Sequence, residues 1–299
     1  MQLWREADRA LYSAKGSLPP DWGARAELAL EAKPVKSFSP ATLILPRNLL
    51  PFFCTALLLG LALPPLRADP IADYRQGDFA AAEKAWLAAV AKHPTDWRAR
   101  HNLGLALIQQ ERPAEAAAQW TAAFVQHPND PTILRDFVLG CDKAGYTPAV
   151  LAVFAQSGPV QDLARLASPA GWQLALVAAG LLVAVAFGLW LLVGYGRRAR
   201  WVKPVSWSLL VLALLLTTAA AVSLHAYGPA ADARAALAWR HSALRSIPTE
   251  ADTTQKTTPL AAGSLAVVDK VFPIGWVHLS FENGQTGWVR QEDVVMLWQ

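Results

Sequence analysis

The side chains able to do acid–base or metal chemistry in this chain do not gather by spacing. His93, His101, His127, His225, His241 and His278 are scattered, with no second histidine at helical ligand spacing and no cysteine pair to complete a metal set. Cys54 and Cys141 cannot build a disulfide framework. The C-terminal serines stand in no nucleophile-elbow context, and no glycine loop is shaped to cradle phosphate. The chain is therefore expected to be no enzyme and to hold no cofactor or metal. The chemistry that remains is recognition of another polypeptide. Arg98 and Arg135 can grip a carboxylate, Asn102 can fix an extended backbone through its two-way amide, and Leu105 offers an apolar contact. His101, Gln109 and Asp136 complete a mixed set at helical spacing, for which an ordinary solvated helix face is the plain alternative.

These residues lie in an alanine-rich stretch, 69–168, that repeats itself. Ala82, Trp86, Ala89 and Pro94 recur as Ala116, Trp120, Ala123 and Pro128, each pair 34 positions apart. Small residues let two helices approach, the large ring fills the gap between them, and proline stops the second helix. His93 and His127, just before those prolines, read as solvent-facing helix ends. With Leu103, Gly104 and Leu107 in the preceding helix, the stretch resembles tetratricopeptide repeats, and 97–130 is its one complete repeat. Only a truncated first helix fits before Phe79. A third first-helix carries Leu134, Phe137 and Cys141, with a short partner at 148–156. In such a stack the first helices line the concave face, which places Arg98, His101, Asn102, Leu105 and Gln109 there, with Arg135 and Asp136 at the places of His101 and Asn102 in the next repeat. Ala116 is expected at the helix contact, and Ala118, two residues along, is expected to turn away. Two repeats plus edges are marginal alone, so a partner or the membrane hairpin is expected to complete the stack.

Two apolar runs, 172–193 and 205–226, each of about 20 residues without a lysine, arginine or acidic side chain, are long enough to cross a hydrocarbon core of about 30 Å as helices. The basic loop between them, 194–204, carries Arg197, Arg198, Arg200 and Lys203 and is expected on the cytoplasmic side. Residues 69–168 and the C-terminal region then share the opposite side. Upstream, Arg47, the apolar run 49–63 and a cut before Asp69 make 47–68 a signal peptide or an uncleaved signal anchor. Residues 7–15 resemble the closing helix of diguanylate cyclase domains, without that domain's glycine-rich turn or acidic residues. Chance or an upstream start codon accounts for it, and 1–46 is expected to hold one short helix and then no ordered core.

After a linker or short helix at 227–240, short β-rich runs divided by turns occupy 241–299, with Asn283 and Gly284 as a two-residue hairpin signal. Gly263, Trp276, Gly287 and Trp288, with the runs around them, resemble bacterial SH3-like domains, although the threonine-rich stretch 253–258 departs from the usual turn. The two tryptophans could stack on a ligand or fill the core. The fold expected is a multi-domain membrane protein of all-α tetratricopeptide-like repeats, two transmembrane helices and an all-β SH3-like barrel. The net charge of +4 is small, sits largely in the basic loop and does not argue for nucleic acid, so no nucleic-acid partner is expected.

Signal, repeats, two-span hairpin and SH3-like tail, in that order, resemble the BatE family of the bacterial aerotolerance operon. The resemblance implies a scaffold of the bacterial inner membrane, facing the periplasm, whose partners are other membrane proteins of the same operon. A cell-envelope sensor or anchor holding peptidoglycan through the SH3-like part is the alternative. The short cytoplasmic loop favours the scaffold.

Overall fold

The structure, a computed structural model, describes residues 18–31, 69–194, 200–250 and 255–299. The helix expected at 7–15, the signal segment 47–68, Arg197, Arg198, Thr253 and Thr254 lie outside the described residues. The chain divides into two units, 1–67 and 68–299. Within the first, α1 (Trp22–Glu31) is a helix that the expectation for 1–46 did not place.

The second unit opens with five helices in succession: α2 (Pro70–Arg75), α3 (Phe79–Lys92), α4 (Trp97–Gln109), α5 (Pro113–Gln126) and α6 (Pro131–Ala144). Aspartates start four of them. Asp69, Asp78, Asp96 and Asp130 each accept a hydrogen bond from an amide of the first turn, where the unpaired donors and the positive end of the helix dipole favour a carboxylate. The Thr132 amide that donates to Asp130 lowers that carboxyl's pKa. Gly145 closes α6 in the left-handed region, at φ +71°, which glycine adopts without a Cβ clash.

Small residues set how closely these helices pack. A Cβ on Gly104 would run into the Trp120 ring, and one on Gly140 would stand 2.5 Å from the ring's other edge. The indole of α5 is thus clasped between α4 and α6, and its Nε1 donates to the His101 carbonyl at 3.0 Å. The short partner expected at 148–156 is a turn and a 3-10 helix, Ala152–Ala155, followed by α7 (Pro159–Ala164).

Next come α8 (Pro169–Gly194) and α9 (Val202–Tyr227), 26 residues each, which is about 39 Å at 1.5 Å per residue. Both are long and apolar enough to cross a membrane. They pack on each other through small residues, with Ala179, Ala186, Ala213 and Ala220 buried, while Leu174, Leu181, Phe187, Leu214 and Leu215 point outward and exposed. Ser206 and Thr218 hydroxyls donate to carbonyls one turn back, at 2.9 Å each, so neither donor is left unmade on an apolar helix.

The C-terminal part is an antiparallel all-β sheet of seven strands, β1 (Ala235–Ala238), β2 (Ser242–Arg245), β3 (Thr257–Leu260), β4 (Leu265–Phe272), β5 (Trp276–Ser280), β6 (Thr286–Arg290) and β7 (Val294–Met296), in the order β3-β2-β6-β5-β4-β1-β7. Two expectations are corrected here. Residues 235–238, read as part of a linker or helix, are the strand between β4 and β7, buried at every position. Alanine and leucine favour a helix alone, but neighbours on both edges and both faces override that preference. The β5–β6 turn also holds three residues rather than two, because the Phe281 amide donates to the Gln285 carbonyl at 2.9 Å across Glu282, Asn283 and Gly284.

One core runs through the repeats, the hairpin ends and the sheet. It includes Ala118, Ala122 and Val125 of α5, Trp172 of α8, Tyr227 of α9, Leu237 of β1 and Leu297. Aromatic rings mark its path, from Phe137 to Phe124 at 5.0 Å, on to Phe154 at 5.5 Å, and then to Tyr227 at 4.8 Å between centroids. Tyr227 donates its hydroxyl to the Ala164 carbonyl at 3.1 Å, and the Trp172 indole donates to the same carbonyl at 2.9 Å.

Candidate partner-binding surface

Helices α4 and α6 carry the seven residues expected to face a partner. Three of them meet. His101 Nε2 lies 2.9 Å from Asp136 Oδ2, and Arg135 Nε donates to Asp136 Oδ1 at 3.2 Å. The Asp136 carboxylate is buried and shared between the two, so it orients them rather than standing open for a ligand. Arg135 remains largely exposed, its side chain 72% accessible. One guanidinium edge is held by Asp136 and the rest faces outward.

The other four do not join that cluster. Arg98 is exposed, with its guanidinium 4.4 Å from the Trp97 ring centroid, and Trp97 in turn stacks on His127 at 4.3 Å. His93 is exposed at its helix end, whereas His127 is partly covered by that stack. Leu105 packs against the core and is only partly exposed. Asn102 is half-buried and Gln109 exposed, and among the described residues neither amide has a hydrogen bond within the chain. The surface can therefore present two cations, two free amides and a slice of leucine. One cation stands beside Trp97 and the other beside Asp136.

Arg100 was not among the residues singled out by spacing. It is 1% exposed and fully engaged: its Nε donates to the Pro94 carbonyl at 2.7 Å, and its two terminal nitrogens to Gln119 Oε1 at 3.3 Å and the Gln299 main-chain oxygen at 3.0 Å. Burial pushes its pKa down to about 10. Gln126 makes a parallel link, its amide donating to Leu297 O at 2.7 Å and Pro94 O at 2.9 Å. The two side chains tie α4 and α5 to the end of the sheet. An arginine is ordinarily a surface residue, so nothing in its type announced this role. Its place was readable, however, because helical spacing sets Arg100 on the same face of α4 as the buried Leu103 and Leu107.

The α5 helix carries a further correction. Ala118, expected to turn away, is fully buried, as are Thr121, Ala122 and Val125 along the same helix. The sheet end and the base of α8 pack on α5, which covers the side that a lone repeat would leave to water.

In the sheet, Gly287 permits close approach, since a Cβ there would stand 2.8 Å from Leu244 Cβ. Gly263, at φ +84°, packs against Tyr146 and Thr147 at the end of α6. Trp276 is core, 3% exposed, with the Arg290 guanidinium 4.6 Å from its ring centroid. Trp288 stays partly exposed between Phe272 and His278, at 6.0 and 5.0 Å.

The tetratricopeptide repeat family model matches residues 71–131, from α2 to the start of α6. Repeats of this kind are protein-interaction modules, and this is the function the match supports. No curated protein and no solved structure matches the chain.

Proposed function

We propose that the chain is a membrane-anchored, non-enzymatic scaffold that gathers protein partners of a membrane complex on the α4–α6 surface, on the periplasmic side of a bacterial inner membrane. The observation that carries the proposal is the asymmetry of the repeat stack. The outer face of α5 is covered by the chain's own hairpin and sheet, and the first helices keep Arg98, Asn102, Gln109 and Arg135 accessible. The order of modules supports a BatE-like role in aerotolerance or envelope stress, with operon-encoded membrane proteins as partners. The partly exposed Trp288, beside Phe272, supports a second reading in which the SH3-like sheet holds peptidoglycan.

Asn102→Ala combined with Arg135→Ala is expected to abolish recovery of the principal partner from solubilised membranes while leaving helical content and melting unchanged. Undiminished recovery from the folded double variant moves the binding surface elsewhere, and retention on peptidoglycan would then favour the sheet. Orientation has its own check. Cysteines placed as Asn129→Cys and Thr254→Cys are expected to react with an impermeant thiol reagent from outside, and Ala199→Cys is not. Reaction of the last alone reverses the arrangement.

A further inference from the structure

Resting on the membrane reading above, we propose that the groove between residues 150–161 and α9 holds an acyl chain of a bilayer lipid, so that the segment ahead of α8 seats in the membrane surface. The groove, of about 620 Å³, is walled by Val150, Val153, Val160, Ala221, Val222 and Ala226, with Gln161 and His225 as its two polar lining residues.

Three observations select a lipid as the occupant. The groove opens off the surface of α9, whose exposed apolar residues run from Val205 to Val222, so its wall continues the face proposed to meet lipid. The segment that forms the other wall is itself exposed and apolar, with Val153 at 40%, Val160 at 41% and Leu166 at 67% accessibility, and it leads within three residues of Leu166 into α8. Between Lys143 and Arg197 the sequence has only two charged residues, Asp162 and Arg165, and they pair with each other. A water-facing strap of this length ordinarily carries more charge, whereas a strap at the headgroup boundary buries its valines in hydrocarbon. The position is also held in place, since α7 packs along α9 and Tyr227 binds the carbonyls at the end of α7.

The test uses the full chain in nanodiscs of phosphatidylethanolamine and phosphatidylglycerol. Cys54→Ser removes one thiol, and Cys141 stays unlabelled because it is buried and its thiol pKa is pushed up to about 12. A nitrobenzoxadiazole probe is attached at Val153→Cys or Val160→Cys, with Val183→Cys as the mid-span reference and Lys84→Cys as the aqueous one. Lipid brominated on its acyl chains is expected to quench the probe at 153 and 160 to at least half the extent seen at 183, with aqueous iodide quenching only the probe at 84. Iodide quenching at 153 and 160 equal to that at 84, with bromolipid quenching confined to 183, overturns the lipid-filled groove and leaves the membrane reading standing. Iodide quenching at 183 as well overturns both.

Discussion

The second helices of the two repeat pairs, α3 and α5, share a signature and differ in almost everything outside it. Ala82, Trp86 and Val90 form one buried stripe on α3, and their counterparts Ala116, Trp120 and Phe124 form the same stripe on α5. Around that stripe α3 shows water Lys84, Leu87 and Ala88, whereas α5 buries Ala118, Thr121 and Ala122 at the equivalent places. The repeat signature specifies only the face shared between paired helices. What covers the opposite face is decided by sequence outside the signature and by elements that arrive later in the chain, here the base of α8 and the end of the sheet. A stack too short to bury itself is completed from within one polypeptide.

The largest difference between the two helices is expected at their tryptophans. Trp120→Ala removes a ring clasped by Gly104 and Gly140 and should cost about 3–5 kcal/mol, as read by chemical unfolding of the detergent-solubilised chain. Trp86→Ala should cost less, because Trp86 has Tyr74 of the truncated α2 on one side in place of a full helix. Equal losses would mean that the flanking helices contribute nothing to the site.

Overpacking separates the outer faces. Ala118→Leu should destabilise by about 1–3 kcal/mol, since the space is already filled by the shared core. Lys84→Leu, at the matching place on α3, should stay within about 0.5 kcal/mol. A neutral Ala118→Leu would place solvent where the structure has the hairpin base and sheet.

Arginines two residues apart on α4 sharpen the same contrast. Arg100→Lys keeps the charge but cannot fork to Pro94, Gln119 and Gln299 together, and the acceptors left without a donor should cost about 1–3 kcal/mol. Arg98→Lys, on the exposed side, should change stability by no more than about 0.5 kcal/mol. The smallest effect on stability is expected from Asn102→Ala with Arg135→Ala, whose consequence is read in partner recovery alone.

Much of this organisation is legible in the amino-acid sequence. The 34-residue recurrence locates the helix pairs because close packing constrains the alanines and the ring so tightly that other residues fail there. The apolar runs locate α8 and α9 because about 20 consecutive residues without a charge or a turn signal make one long apolar helix. Strand β1 is misread because alanine and leucine carry no period-2 signal, and its identity comes from β4 and β7, which pair with it across about 30 and 60 residues of chain. Of the candidate surface, the residue types are readable but their division of labour is not. Asp136 reads as a ligand-facing acid and proves to be the internal partner of its neighbour Arg135 and of His101, the latter a pairing between helices that spacing along one helix does not reveal. For α5 a signal is present: Ala118, Thr121, Ala122 and Val125 give it an outer face without a single charge, unlike the Lys84 side of α3.

Hydrogen exchange of the whole chain in nanodiscs tests most directly whether the repeats are completed by their own hairpin and sheet. Amides of α5, β1 and β7 are predicted to open together with one free energy of protection, while those of α2 and the start of α3 exchange sooner. Exchange of α5 at the rate of α3, independent of β1 and β7, would contradict a shared core and return the outer face of the repeats to solvent or to another protein.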